Sequence, residues 1–173
     1  LSAMNTLAEL YRKLGRNEEA EQLFIEALDG KRRALGEEHV TTLMSMNDLG
    51  HFYKNLGRYD EAQPLLVKTM EASRRVLGEE HLLTLTSATN LAVLYRRLGR
   101  YEEALTRADA ARMLLQPWAQ SRYMAALEMN VGSVCRMLGR YTDALSAYER
   151  GRAIVAALDN RVEIARMDIN RAR

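Results

Sequence analysis

Apolar positions recur along this chain with a helical period. Leu7, Leu10, Tyr11 and Leu14 form a pattern that returns as Leu49, Phe52, Tyr53 and Leu56, and again as Leu91, Leu94, Tyr95 and Leu98. Such spacing lines one face of an α-helix. Gly15, Gly57, Gly99 and Gly139 lie just past these stripes and at the matching place in a fourth copy, where helix ends commonly take the left-handed conformation that glycine adopts without strain. Acidic residues come next: Glu18 and Glu19, Asp60 and Glu61, Glu102 and Glu103, and Asp143. They suit the positive end of a second helix. In the first copy that helix carries Ala20, Leu23, Phe24, Ala27 and Leu28, and the pattern predicts that it runs to about Leu35.

The same unit is therefore repeated. Leu-Gly-Arg occurs at 14–16, 56–58, 98–100 and 138–140, so the period is 42, 42 and then 40 residues. An alanine follows each glycine five residues on (Ala20, Ala62, Ala104, Ala144), and Leu-Gly-Glu-Glu-His closes the first two units at 35–39 and 77–81. The predicted helix pairs occupy 1–42, 43–84, 85–124 and 125–158. Residues 159–173, with Val162, Ala165 and Ile169 on one helical face, are expected to form a terminal capping helix or a truncated fifth unit. One helical hairpin buries a single face and leaves another apolar, so neighbouring hairpins must stack. Small residues at the eighth position (Ala8, Gly50, Ala92, Gly132) and the twenty-seventh (Ala27, Thr69, Ala111, Gly151) are expected to let backbones approach closely. The third unit departs from the pattern at Gln116-Pro117-Trp118. Pro117 is expected to end the sixth helix and Trp118 to start the seventh.

Composition narrows the function. With 173 residues, 47% apolar and 28% charged, the chain is neither disordered nor, lacking an 18-residue uncharged run, membrane-spanning. Cys135 is the single cysteine, which excludes an internal disulfide and suits a reducing, cytoplasmic location. The 25 basic and 23 acidic residues nearly cancel, which argues against nucleic-acid and membrane partners. The chain starts at Leu1 with no leader pattern and no initiator methionine, as expected of a segment of a longer polypeptide. No phosphate loop, nucleophile elbow or His-Glu-x-x-His helix occurs, so no catalytic residue, cofactor or metal is expected. His39 and His81 recur at the unit junction and read as helix-start or packing residues. Cys135 stands where other units have Tyr11, Tyr53 and Tyr95, and reads as a small core residue.

The pattern Asn-x-Leu-Ala-x-Leu-Tyr-x-x-Leu-Gly-Arg-x-x-Glu-Ala resembles the tetratricopeptide repeat family. The 42-residue period and the Leu-Gly-Glu-Glu-His-x-x-Thr-Leu junction are similar to the long-helix variety of kinesin light chains and of arrays fused to signalling nucleotide triphosphatases. The resemblance implies an all-α, right-handed solenoid of four antiparallel helix pairs plus a terminal helix, acting as a non-enzymatic interaction scaffold. It also implies that the first helix of each pair lines a concave peptide-binding groove. The groove residues would then be Asn5, Asn47, Asn90 and Asn130, with the cations Arg12, Lys54, Arg96 and Arg136 widened by Lys13 and Arg97.

Asparagine can donate to and accept from a peptide backbone at once, and Arg and Lys bind carboxylates. Because Glu9 and Asp48 interrupt the cationic field in the first two units, the stronger anion site is expected around Asn90, Arg96, Arg97, Asn130 and Arg136. The expected partner is an acidic, extended peptide or a partner domain. Two plainer roles compete: each cation sits in the last turn of its helix, favourable against the macrodipole, and each asparagine could bond between neighbouring helices. A second functional reading makes the array the sensor or autoinhibitory arm of a larger signalling ATPase or effector. Open apolar ends would also permit end-to-end self-association.

Overall fold

The computed structural model describes residues 2–79, 81–116 and 119–171, with side chains placed in 3–79, 81–116 and 119–159. Among the described residues eight α-helices follow one another: α1 (Ser2–Lys13), α2 (Asn17–Leu35), α3 (Val40–Asn55), α4 (Tyr59–Leu77), α5 (Leu82–Arg97), α6 (Tyr101–Leu114), α7 (Arg122–Met137) and α8 (Tyr141–Arg171). There is no strand among the described residues. Each Leu-Gly-Arg lies between two successive helices: α1 and α2, α3 and α4, α5 and α6, and α7 and α8. The chain divides into two compact units, 1–94 and 95–173. In the first, α1 packs on α2, α2 on α3 and α3 on α4; in the second, α7 packs on both α6 and α8.

The recurrent Leu-Gly-Arg makes the turn within each pair. Gly15, Gly57, Gly99 and Gly139 have φ between 72° and 78°. The following arginine then turns its N–H back onto the carbonyl five residues earlier: Arg16 to Tyr11 (2.9 Å), Arg58 to Tyr53 (3.0 Å), Arg100 to Tyr95 (3.0 Å) and Arg140 to Cys135 (2.9 Å). This closes the helix end by satisfying a carbonyl that would otherwise lack a partner. The arginine side chain then works as a clamp. Its guanidinium lies over the tyrosine ring of the preceding helix, 4.3 Å from the Tyr11 centroid, 4.4 Å from Tyr53 and 4.7 Å from Tyr95. It also pairs with an acid three residues on: Arg16 with Glu19, Arg58 with Glu61, Arg100 with Glu103 and Arg140 with Asp143. Stacking holds the guanidinium while the carboxylate orients it.

Close approach explains the small residues. A Cβ on Gly50 would lie 2.9 Å from Leu66, and one on Gly132 would lie 2.6 Å from the Tyr148 ring. Ala8, Ala27, Ala92, Ala111 and Thr69 are fully buried. The junctions between the first pairs are locked by threonine: Thr42 Oγ1 donates to the Gly36 carbonyl and Thr84 Oγ1 to that of Gly78, both at 2.8 Å. His39 and His81 start the next helix, accepting at Nδ1 from the Thr41 N–H (3.3 Å) and the Leu83 N–H (3.1 Å). At the third junction Ser121 caps α7 instead, accepting from the Met124 N–H at 3.2 Å. Pro117 and Trp118 lie outside the described residues. The backbone of 159–171 continues α8 without a break; the side chains of Val162, Ala165 and Ile169 lie outside the described residues.

Candidate functional site

The asparagines predicted to share a column stand in two registers. Asn5 and Asn47 precede their turn glycine by ten residues, Asn90 and Asn130 by nine. In the first unit the one-residue offset brings side chains of successive first helices together.

In the first unit, Asn5 Nδ2 on α1 donates to Asp48 Oδ2 (2.9 Å) and Ser45 Oγ (3.2 Å) on α3. Asn47 Oδ1 on α3 accepts from Asn90 Nδ2 (3.2 Å) and lies 3.4 Å from Ser87 Oγ, both on α5. Lys54 Nζ donates to Asn90 Oδ1 at 2.8 Å. Arg12 is engaged within its own helix, gripping Glu9 through Nε (2.8 Å) and Nη2 (2.5 Å). That pairing holds the Glu9 carboxyl below its usual range. Beneath the face, buried Lys31 of α2 donates to Ser45 Oγ at 2.6 Å. Burial pushes the Lys31 ammonium down and the Asp48 carboxyl up, and each charge partly offsets the shift of the other. His51, half-buried beside Lys54 and Arg12, is pushed down to about 4 by burial first and by those cations second. It is a neutral ring at physiological pH.

Two of the cavities on this unit lie beside Asp48. One of about 250 Å³ lies among Asn5, Glu9, Arg12, Asp48 and His51. The other, about 300 Å³, has Asn47 and Asp48 beside Met44, Leu82 and His81. Met44 and Leu82 are about half exposed, so the second cavity offers apolar walls next to amide and carboxylate groups. The sequence pattern does not single out Lys31, Ser45, His51 or Leu82. His51 stands at the position of Glu9 one repeat later, so its place on the helix was readable while its burial was not.

In the second unit, Arg96 Nε on α5 donates to Asn130 Oδ1 on α7 at 2.6 Å. This repeats the link from Lys54 to Asn90 one unit later. Asn130 is buried, and its Nδ2 has no partner among the described residues. Arg97 and Arg136 are exposed and make no hydrogen bond or ion pair among the described residues. Asn5 Oδ1 in the first unit is likewise buried and unpaired. Thus Asn5, Asn47, Asn90 and Asn130 all join neighbouring helices, while Arg97 and Arg136 keep free cationic heads. No group of three or more His, Cys, Asp or Glu side chains among the described residues could hold a metal ion. Among the described residues no helix is long and apolar enough to cross a membrane.

Comparison with known proteins agrees with this fold. The tetratricopeptide repeat pattern matches residues 41–115 in one form and 1–41 in another. No curated protein matches the chain in sequence. Among solved structures, BtubC (BKLC) from P. vanneervenii superimposes with a TM-score of 0.80 at 23% identity, over 90% of this chain and 63% of that one. A kinesin light chain-like protein of nearly identical TPR-like repeats from Podosopora anserina gives 0.73 at 24% identity, over 91% and 75%. MamA of AMB-1 gives 0.65 at 21% identity, over 89% and 78%. The chain thus spans less than two thirds of the length of BtubC, and at these identities the likeness is one of fold.

Proposed function

Since the chain belongs to the tetratricopeptide repeat family, we propose that it is a non-enzymatic protein interaction module whose second unit binds an extended, acidic segment of a partner protein. The observation that carries this reading is the group Arg96, Asn130, Arg97 and Arg136. A buried amide donor, Asn130 Nδ2, lacks a partner beside a guanidinium already held by the same side chain, and two exposed guanidinium groups are unpaired. An unpaired buried donor is costly, and a peptide carbonyl would satisfy it. Exposed arginines meet carboxylates through charge-assisted, often bidentate bonds. In the first unit, the cavity walled by Met44 and Leu82 offers room for an apolar side chain of a bound segment.

A fluorescein-labelled decapeptide of alternating Glu and Ala tests the reading by anisotropy. Arg96→Glu with Arg136→Glu should abolish binding while the far-ultraviolet circular dichroism stays unchanged. Binding to the parent chain should weaken steeply with added salt, as exposed charge contacts do. Binding that survives the charge reversal would overturn the assignment.

A further inference from the structure

The four pairs repeat one device, and the fourth copy lacks a part of it. In the first unit the Tyr53 ring of α3 fills the slot between α2 and α4. It is buried, its hydroxyl donates to Glu21 of α2 at 3.0 Å, and Arg58, just before α4, lies over its face at 4.4 Å. Tyr11 and Tyr95 carry the same arginine cover from Arg16 and Arg100. In the fourth copy the tyrosine position is Cys135, while the arginine and the acid three residues beyond it remain as Arg140 and Asp143. The result is an open slot. A cavity of about 350 Å³ lies between α6 and α8, with Cys135 and Val131 of α7 among its lining residues and Arg140 and Asp143 at its α8 side. Leu105, at the position matching Glu21, lines the α6 side. No aromatic ring among the described residues lies under Arg140, although the guanidinium is already held by Asp143 at 2.8 Å.

We propose that this slot receives the aromatic side chain of a tyrosine or phenylalanine from a partner protein, which supplies in trans the ring that Tyr53 supplies in cis. The site is set up in advance. Its guanidinium is oriented by Asp143, its floor is the apolar pair Cys135 and Val131, and the ring-sized space follows from replacing Tyr by Cys where the arginine and its acid are kept while Leu105 stands in place of the acid that Tyr53 meets. An aromatic face is favoured over an aliphatic group of equal size because the guanidinium is attracted to the π-system. Burial raises the Cys135 thiol, which keeps the floor neutral, while the walls are largely polar, with Glu102, Thr106 and Asp109 of α6 and Ser146 of α8. Five positions separate Cys135 from Asn130, which turns them roughly 140° apart around α7. The slot is therefore a second site that does not rest on the acidic-segment reading.

The test uses p-cresol, the isolated tyrosine side chain, and the peptide Ac-Ala-Tyr-Ala-NH2 in titrations followed by amide chemical shifts of the whole chain. Saturable shifts at Leu105, Val131, Cys135 and Arg140 are expected with both probes, and cyclohexanol should produce none. Cys135→Tyr should raise the melting temperature and abolish the shifts; Cys135→Leu, which fills the floor with a residue already common in this core, should weaken them. Arg140→Ala should reduce the affinity for p-cresol about threefold. No saturable shift with p-cresol, equal response to cyclohexanol, or unchanged binding in both Cys135 variants would overturn the proposal. Binding of p-cresol with exclusion of the peptide would overturn the assignment to a partner's side chain.

Discussion

At the scale of single residues, packing and conformation make opposite demands on the glycines, and the two kinds can be told apart by substitution. Gly50 is helical, and alanine there gains about 1 kcal/mol of helix propensity. Its Cβ would nevertheless meet buried Leu66 at 2.9 Å and Leu65 at 3.3 Å. Overpacking of this kind costs about 1–3 kcal/mol. Gly50→Ala should therefore lower the unfolding free energy by about 1 kcal/mol in urea titration, and a rise would show that propensity dominates. His51 makes a pH prediction. Its ring is depressed from the ordinary 6.5 to about 4, so below pH 6.5 the unfolded chain takes up a proton that the folded chain refuses. Stability from this group is complete above pH 6.5 and falls as the pH drops toward 4, by at most about 1.4 kcal/mol per pH unit. The raised Asp48 carboxyl works in the opposite sense at the lower end of that window. His51→Gln should flatten the stability curve between pH 6.5 and 4 in acid-dependent thermal melts; an unchanged slope would contradict the burial argument.

At the scale of elements, each helix is stabilised by what stacks on it. Phe52 of α3 is 1% exposed, with its ring centroid 5.2 Å from that of Phe24 on α2. Leu10, the same position one unit earlier, is 52% exposed on α1. Phe52→Ala should cost about 3–5 kcal/mol, whereas Leu10→Ala should cost under about 1 kcal/mol, both read from denaturant midpoints. Equal losses would mean that Leu10 is covered in solution. The interface of α6, α7 and α8 is built differently, because Glu128 is buried and accepts from Arg112 Nε (2.8 Å) and Arg150 Nη2 (2.9 Å). Its counterparts Met4, Met46 and Ala88 are apolar. Removing one partner of a buried pair strands the other, while replacing both with apolar residues is often tolerated. Glu128→Met should thus destabilise more than Glu128→Met combined with Arg112→Leu, measured as a double-mutant cycle.

What could be read from sequence follows from the same contrast. The turn glycines, the small eighth-position residues and the junction His39 and His81 recur, and recurrence made their roles visible. Buried Lys31 and Glu128 occur once each against apolar or small counterparts, so no periodicity announced them. The asparagine pairs were visible as residue types, but only the one-residue offset between Asn47 and Asn90 shows how they meet across helices.

At the scale of the molecule, four copies of one hairpin have diverged on the surface while keeping their packing. The shared positions hold helices together, and the differences between copies hold the functional information. Free arginines and an unpaired Asn130 amide mark the second unit, and a missing ring marks the slot beside Cys135. Binding of an acidic extended segment at Arg96, Arg97, Asn130 and Arg136 is the function proposed for that unit. It is tested most directly by titrating the isotopically labelled chain with the alternating Glu-Ala decapeptide and mapping amide and side-chain shifts. The expected result is saturable movement of the Asn130 side-chain NH2 and of Arg96, Arg97 and Arg136. Saturable binding that leaves those four residues unmoved, or no binding at low salt, would contradict it.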